Sequence, residues 1–155
     1  MEELGVSQIG SRPIKLFELS DWAWVYTPRE PFILFVAARA SSDDETEIRR
    51  FAAEAVGSGC AYVCTWGDGC SHVHDLFDLA SIEPDRFVLS SWHADESLAE
   101  ALYFALYIAV PDEEKFPNAY EAAVILAVEE PWLAEVRRLV ADQNKLIGLV
   151  LDEDG

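Results

Sequence analysis

Between Cys60 and Asp75 the chain reads CAYVCTWGDGCSHVHD, a stretch that gathers its three cysteines, two of its three histidines and a Gly-Asp-Gly turn. Thiol, imidazole and carboxylate are the groups from which metal sites, nucleophiles and proton-transfer sites are built. Cys70 is the candidate nucleophile. It follows the Gly-Asp-Gly turn at the expected start of a helix, where main-chain N–H groups and the helix dipole stabilise a thiolate. His93 is the expected base. His74, one helical turn beyond Cys70, shares its face. Cys70, His74 and His93, assisted by Asp75 or Asp95, would together make a zinc site. None of the standard zinc spacings is present: there is no H-E-x-x-H, no paired C-x-x-C, and no H-x-E followed by P-C-x-x-C. A plainer reading stands beside these, in which His74 and His93 are hydrogen-bonded structural residues near helix starts. His72 and His74, two apart on a helix, point in different directions.

Cys60 and Cys64 fall inside an expected strand. Their even spacing predicts one shared face and a separation of about 13 Å at roughly 3.3 Å per residue. That is too far for a common metal or a disulfide, so both are expected as small core residues. Gly67-Asp68-Gly69 resembles the opening of a phosphate loop but lacks the third glycine, and Asp68 would oppose a phosphate.

These groups need elements to hold them. Phe32–Ala38 is a continuous apolar run, as expected of a strand buried on both faces. Ser42 and Glu45 read as a capping box for a helix with Ile48, Phe51, Ala52 and Ala55 inward, stopped by Gly57 and Gly59. Cys60–Trp66 is a second strand and Ser71–Ala80 a short helix. A turn at Pro84-Asp85 leads to a third strand, Phe87–Trp92. Asp95 is expected to cap a helix running through Leu98, Leu102, Ala105 and Ala109 and ended by Pro111. Ala122–Val128 is a fourth strand. Pro131 opens a last helix with Leu133, Val136, Leu139 and Val140 inward, and Gly148 interrupts the tail. Residues 1–31 read as an N-terminal arm or edge strand, with Trp22, Trp24 and Tyr26 alternating up to Pro28 and Pro31. The pattern predicts a single three-layer α/β domain with a mostly parallel four- to five-stranded sheet and helices on both faces. The alternative is an α+β fold with an antiparallel hairpin within residues 14–38. In parallel sheets ligands bind beyond the carboxyl ends of the strands. Arg39, Asp43, Asp44, Asp68, Cys70, His74, His93, Asp95, Glu96, Glu129 and Glu130 all fall there, although loops are polar in any protein.

The 155 residues are 51 % hydrophobic, enough for a core without staples. Against 29 acidic residues stand 11 basic ones, a net charge of -18 that repels phosphate backbones and anionic lipid head groups. Neither nucleic acid nor membrane is expected as a partner, and Arg49-Arg50 and Arg137-Arg138 are isolated basic pairs. The first residues lack the basic start and apolar core of a signal peptide. Leu98–Val110 is too short to span a bilayer. The odd number of cysteines predicts reduced thiols in a cytoplasmic protein. Oligomeric state is not legible.

Two motifs carry a resemblance. One is C-x-W-G-x-x-C-x-x-x-H-D, here Cys64, Trp66, Gly67, Cys70, His74 and Asp75; the other is W-H-x-D-E-x-L-x-E-A, here Trp92, His93, Asp95, Glu96, Leu98, Glu100 and Ala101. Through them, over about residues 32–110, the chain resembles a small uncharacterised bacterial domain family. The resemblance implies a bacterial cytosolic α/β domain and brings no mechanism. Two functional classes follow from the residues, and whether the protein is an enzyme stays open. The first is a non-catalytic protein-interaction domain, immunity- or antitoxin-like, that binds a basic protein partner and needs no cofactor. The second is a metal-binding protein with zinc on Cys70, His74 and His93, or a thiol enzyme with Cys70 as nucleophile and His93 as base. Small-ligand sensing with Arg39 as an anion anchor is a third reading.

Overall fold

Every residue of Phe32–Ala37 (β3) is buried, because helices cover both faces of the sheet at its centre. In the computed structural model, which describes residues 1–26, 30–82, 87–116 and 118–153, β3 is flanked by Cys60–Trp66 (β4) and Ala123–Val128 (β6). Pro13–Glu18 (β2) lies outside β6, Leu89–Trp92 (β5) outside β4, and Glu2–Val6 (β1) outside β2. The order is β1-β2-β6-β3-β4-β5, parallel throughout except for β1. Side chains alternate between the two faces. Ile33, Phe35, Val124 and Leu126 face one layer, made by Leu98–Tyr103 (α3), Glu130–Ala141 (α4) and Gln143–Glu153 (α5). Leu34, Val36, Ile125 and Ala127 face Glu45–Ser58 (α1) and Cys70–Ile82 (α2). This is the three-layer α/β arrangement expected from the alternating pattern. The turn expected at Pro84-Asp85 and the closing Pro28 lie outside the described residues. Among the described residues no helix is long and apolar enough to cross a membrane.

The sheet has six strands rather than four to five. The additional strand is β1, whose residues are nearly all exposed and so carry no apolar signature. It pairs antiparallel with β2, and Arg137 bonds Glu2 at 3.0 Å. The hairpin therefore lies at the start of the chain and not within residues 14–38, because β6 inserts between β2 and β3. Residues 19–26 form a packed arm. Trp22 and Trp24 each sit 5.5 Å from the Phe51 ring, and Trp24 stacks on Phe32 at 5.6 Å.

Helix ends also differ. Ser41 and Asp44 form the box that opens a short turn before α1, one residue ahead of the expected pair. Ser97 and Glu100, not Asp95, cap α3. Gly148 does not stop α5, since the roughly 1 kcal/mol cost of a helical glycine is offset by the burial of Leu146 and Val150 on either side of it. Beyond α3 the chain makes a π-helical turn over Phe104–Ile108. It ends where the buried Arg12 guanidinium donates to the Ala109 carbonyl at 2.6 Å, a cation at the negative end of a helix.

Strand β4 corrects the expectation for its cysteines. Phe32 pairs with Cys60 and Ile33 with Tyr62, so Ala61 is an extra residue in a bulge. The bulge inverts the alternation: Cys60 packs on the α1–α2 side and Cys64 on the α3–α4 side.

Candidate functional site

Edge strand β5 is only four residues long, and its adjacent serines point to opposite faces of the sheet. Ser90 turns toward α2 and meets His74 Nε2 at 2.7 Å. Ser91 turns the other way and meets His93 Nε2 at 2.9 Å. Each histidine is buried, and each holds a carboxylate at its second nitrogen. His93 Nδ1 lies 2.7 Å from Glu96 Oε2. His74 Nδ1 lies 3.2 Å from Asp75 Oδ1 and 3.8 Å from Asp78 Oδ2. The sheet edge thus carries two Ser–His–carboxylate relays, one on each face.

The protons in the two relays run in opposite directions. Glu96 is acceptor-only, so His93 Nδ1–H donates to it and Nε2 accepts from the Ser91 hydroxyl. That tautomer can take the serine proton. On the other face Ser90 Oγ donates to Asp78 Oδ1 at 2.9 Å. Its single proton is thereby used, so Ser90 accepts from His74 Nε2–H. His74 Nδ1 faces the carboxylates of Asp75 and Asp78.

Second elements support each relay. The Trp66 indole donates to the Glu96 carbonyl at 2.8 Å and holds the loop after β5 over the strand ends. The His93 ring packs 4.8 Å from Phe104, the first residue of the π-helical turn. Burial pushes the Tyr62 phenol and the Cys64 thiol up, and the neighbouring Ser91 side chain opposes the shift at both. The His74 ring packs 4.6 Å from Trp92.

Cys70, His74 and His93 do not gather as one ligand set. Among the described residues the trio whose ligand atoms all lie within 4.8 Å of one another is His74, Asp75 and Asp78. Cys70 and His74 do share a face of α2, but β5 separates His74 from the His93 ring. The main-chain N–H of His93 donates to the Thr65 carbonyl at 2.9 Å, and its imidazole is engaged by Ser91 and Glu96. His72 points away, 3.6 Å from Glu45. Ser90, Ser91 and Asp78 were not singled out from the sequence. The available signal was a pair of serines in the middle of an otherwise apolar strand, with Ser91 two residues before His93 and Asp78 one turn after His74.

Burial decides the thiol chemistry. It pushes Cys64 up to about 12 and raises Cys60 and Cys70 as well. At Cys70 the main-chain N–H groups of His93, Cys70 and Ser71 act in the direction expected of a helix start, but burial outweighs them. All three thiols should therefore react with iodoacetamide at pH 8 at least about tenfold more slowly in the native protein than in urea. Raised folded-state values also fix the sign of the pH dependence. The thiols contribute full stability below the unfolded value of 9.0, and that contribution falls as pH climbs toward 12. Near pH 10 each fully buried thiol should cost about 1.4 kcal/mol relative to pH 7. Urea midpoints of wild type and Cys64→Ala, compared at both pH values, check this; equal alkaline losses in the two proteins would contradict it.

The Gly-Asp-Gly turn serves packing. Ala38 N–H donates to Trp66 at 3.1 Å and Ala40 N–H to Asp68 at 2.8 Å, so the loop after β4 lies directly on the chain leaving β3. At the point where the strand order reverses, between β3 and β6, a cleft of about 370 Å³ is lined by Glu18, Asp21, Asp44, Glu129, Glu130 and Arg39 among others. Arg39 lies over the Trp132 ring at 5.5 Å. Five carboxylates around one cation make this a poor seat for an anion.

Fold and site together define a three-layer α/β protein with a parallel sheet, one antiparallel edge and histidine relays on the other edge. The chain belongs to the family described as Domain of unknown function (DUF7684), whose model matches residues 16–143. The match runs past Val110 through β6 and α4. No curated protein and no solved structure matches the chain.

Proposed function

We propose that this protein is a non-catalytic interaction module of the bacterial cytoplasm, immunity- or antitoxin-like, that takes an extended basic segment of a partner protein along β5 and α2. The observation that carries the reading is Trp92. It ends an edge strand and is 54 % exposed, with one side braced by the His74 ring. Leu79, Ile82 and Phe87 are also exposed. Asp78 reaches Ser90, which places Ile82, one turn further on, beside the same strand. Large apolar side chains clustered at a surface mark docking sites, and tryptophan is prominent among binding hot spots. The outer edge of β5 offers main-chain groups to an added strand. The exposed Asp75 and Asp78 carboxylates and the net charge of -18 draw lysine and arginine toward it. Capture from a host lysate at low and moderate salt tests the reading. A basic protein should be held at low salt and more weakly at moderate salt, and Trp92→Ala should weaken capture by about 30-fold, the scale of a hot-spot residue. Capture of nothing at either salt, or equal capture by the variant, would sink it.

The Ser91–His93–Glu96 relay favours a second reading. Hydroxyl, imidazole and carboxylate stand in the order of nucleophile, base and orienting acid found in acyl-transfer enzymes. In this reading the base expected for Cys70 serves Ser91. A fluorophosphonate adduct on Ser91 that disappears in His93→Gln would support it, and an unlabelled Ser91 would remove it.

A further inference from the structure

We infer that a cavity at the amino ends of β2, β3 and β6 binds a small zwitterion of the free amino acid type. The inference goes beyond the docking surface at β5 and does not depend on it.

The cavity follows from how the sheet is covered. On one face α1 packs on β4, and α2 packs on β4 and β5. Over β2 the arm of residues 19–26 takes the place of a helix, with the Trp24 ring 5.8 Å from Phe17. At Tyr26 a cavity of about 750 Å³ opens between the arm and the residues that lead into β6. Small-molecule sites typically enclose about 300–1,000 Å³. Phe32 and Ala123, register partners on β3 and β6, line its apolar part.

Lys15 gives the cavity its chemistry. Side chains alternate along β2, so Lys15 stands on the same face as the buried Phe17. A cation at a core-facing position is more informative than one on an open surface. It is half-buried, and among the described residues it forms no ion pair, although the chain has 29 acidic residues. Its ammonium lies 5.3 Å from the centre of the Tyr26 ring and 3.5 Å from the phenol oxygen. That ring is braced by Trp24 at 6.5 Å and Phe32 at 5.7 Å. The ammonium gives one proton to the phenol oxygen. Its other protons, and the phenol's own, have no acceptor among the described residues. Two such donors side by side suit the two oxygens of one carboxylate. The exposed Glu30 and Glu121 line the same cavity. Two carboxylates against one cation disfavour a simple anion and favour a ligand that carries its own ammonium beside its carboxylate. A free amino acid has both poles, and an apolar side chain to lay on Phe32 and Ala123.

The test exposes the full chain to each common L-amino acid in turn, at about 10 mM, where a millimolar site should raise the thermal midpoint by about 3 °C. Calorimetry then measures the amino acid that gives the largest rise. Lys15→Met keeps an unbranched side chain and should weaken binding by about 10–100-fold. Tyr26→Phe keeps the braced ring and should weaken it by about tenfold; should Lys15→Met not fold, Tyr26→Phe decides the matter. The amide and the N-acetyl derivative of the same amino acid each lack one charge, and each should bind at least about tenfold more weakly. No rise with any amino acid would overturn the proposal. Binding untouched by Lys15→Met would also overturn it, because the ligand would then sit elsewhere, and so would equal binding of either derivative.

Discussion

Gly67→Ala should cost about 3–5 kcal/mol of stability, a large share of what a protein of this size has in total. The reason is contact between two main chains. A Cβ on Gly67 would lie 2.1 Å from the Ala38 carbonyl oxygen, and the residue has a φ of +110°. Neither partner is a flexible side chain that can swing aside. Movement would break the hydrogen bonds that tie the loop after β4 to residues 38 and 40. The left-handed backbone adds a penalty of about 1–2 kcal/mol for any residue with a Cβ. Gly69 is in the same position, with its Cβ 2.2 Å from the Ala40 oxygen. Gly57 is the internal control. It lies in α1 with nothing within 4 Å of a Cβ, and Gly57→Ala should be neutral or stabilise by about 0.5–1 kcal/mol. Urea denaturation of both variants measures the contrast. Equal midpoints for the two would show that the loop does not press on the chain leaving β3.

Phe51→Ala should cost about 3–5 kcal/mol, from lost transfer energy and the cavity left behind. Phe51 is fully buried on α1 and forms the hub of an aromatic cluster. Trp22 and Trp24 each lie 5.5 Å from its ring and Phe77 lies 6.1 Å away. These neighbours come from the arm and from α2, so removing the ring loosens two elements from a third. Tryptophan emission should shift to the red as the arm loses its seat, and proteolysis within residues 19–26 should accelerate. Leu79→Ala, on the exposed side of α2, should change stability by no more than about 0.5 kcal/mol. A Phe51 variant as stable as the Leu79 variant would mean that the arm does not depend on this packing.

Much of the fold was legible in the sequence because burial writes itself into local patterns. β3, β4 and β6 are covered on both faces, so each appears as an apolar run, interrupted in β4 by Thr65, and β4 matches its expected limits of Cys60 and Trp66. The inward residues of α1 and α4 recur at helical spacing for the same reason. β1 left no trace because it is a solvent-exposed edge strand held by pairing with β2. The candidate site was legible only as residue types. His74 and His93 were recognisable, but their partners Ser90 and Ser91 looked like ordinary polar interruptions of a strand.

By itself, the sequence determined the α/β alternation, the central apolar strands, the acidic surface and the polar residues after each strand. Periodicity and composition are sums over neighbours along the chain, so no distant contact is needed to read them. Tertiary structure alone decided which of those residues meet. A one-residue bulge at Ala61 sent Cys60 and Cys64 to opposite faces. The outermost position of β5 sent His74 to one side of the sheet and His93 to the other. Strand order and register follow from packing the whole sheet, and a shift of one residue moves every side chain to the opposite face. That is why the chemical groups could be found along the chain, while their division into two separate relays could not.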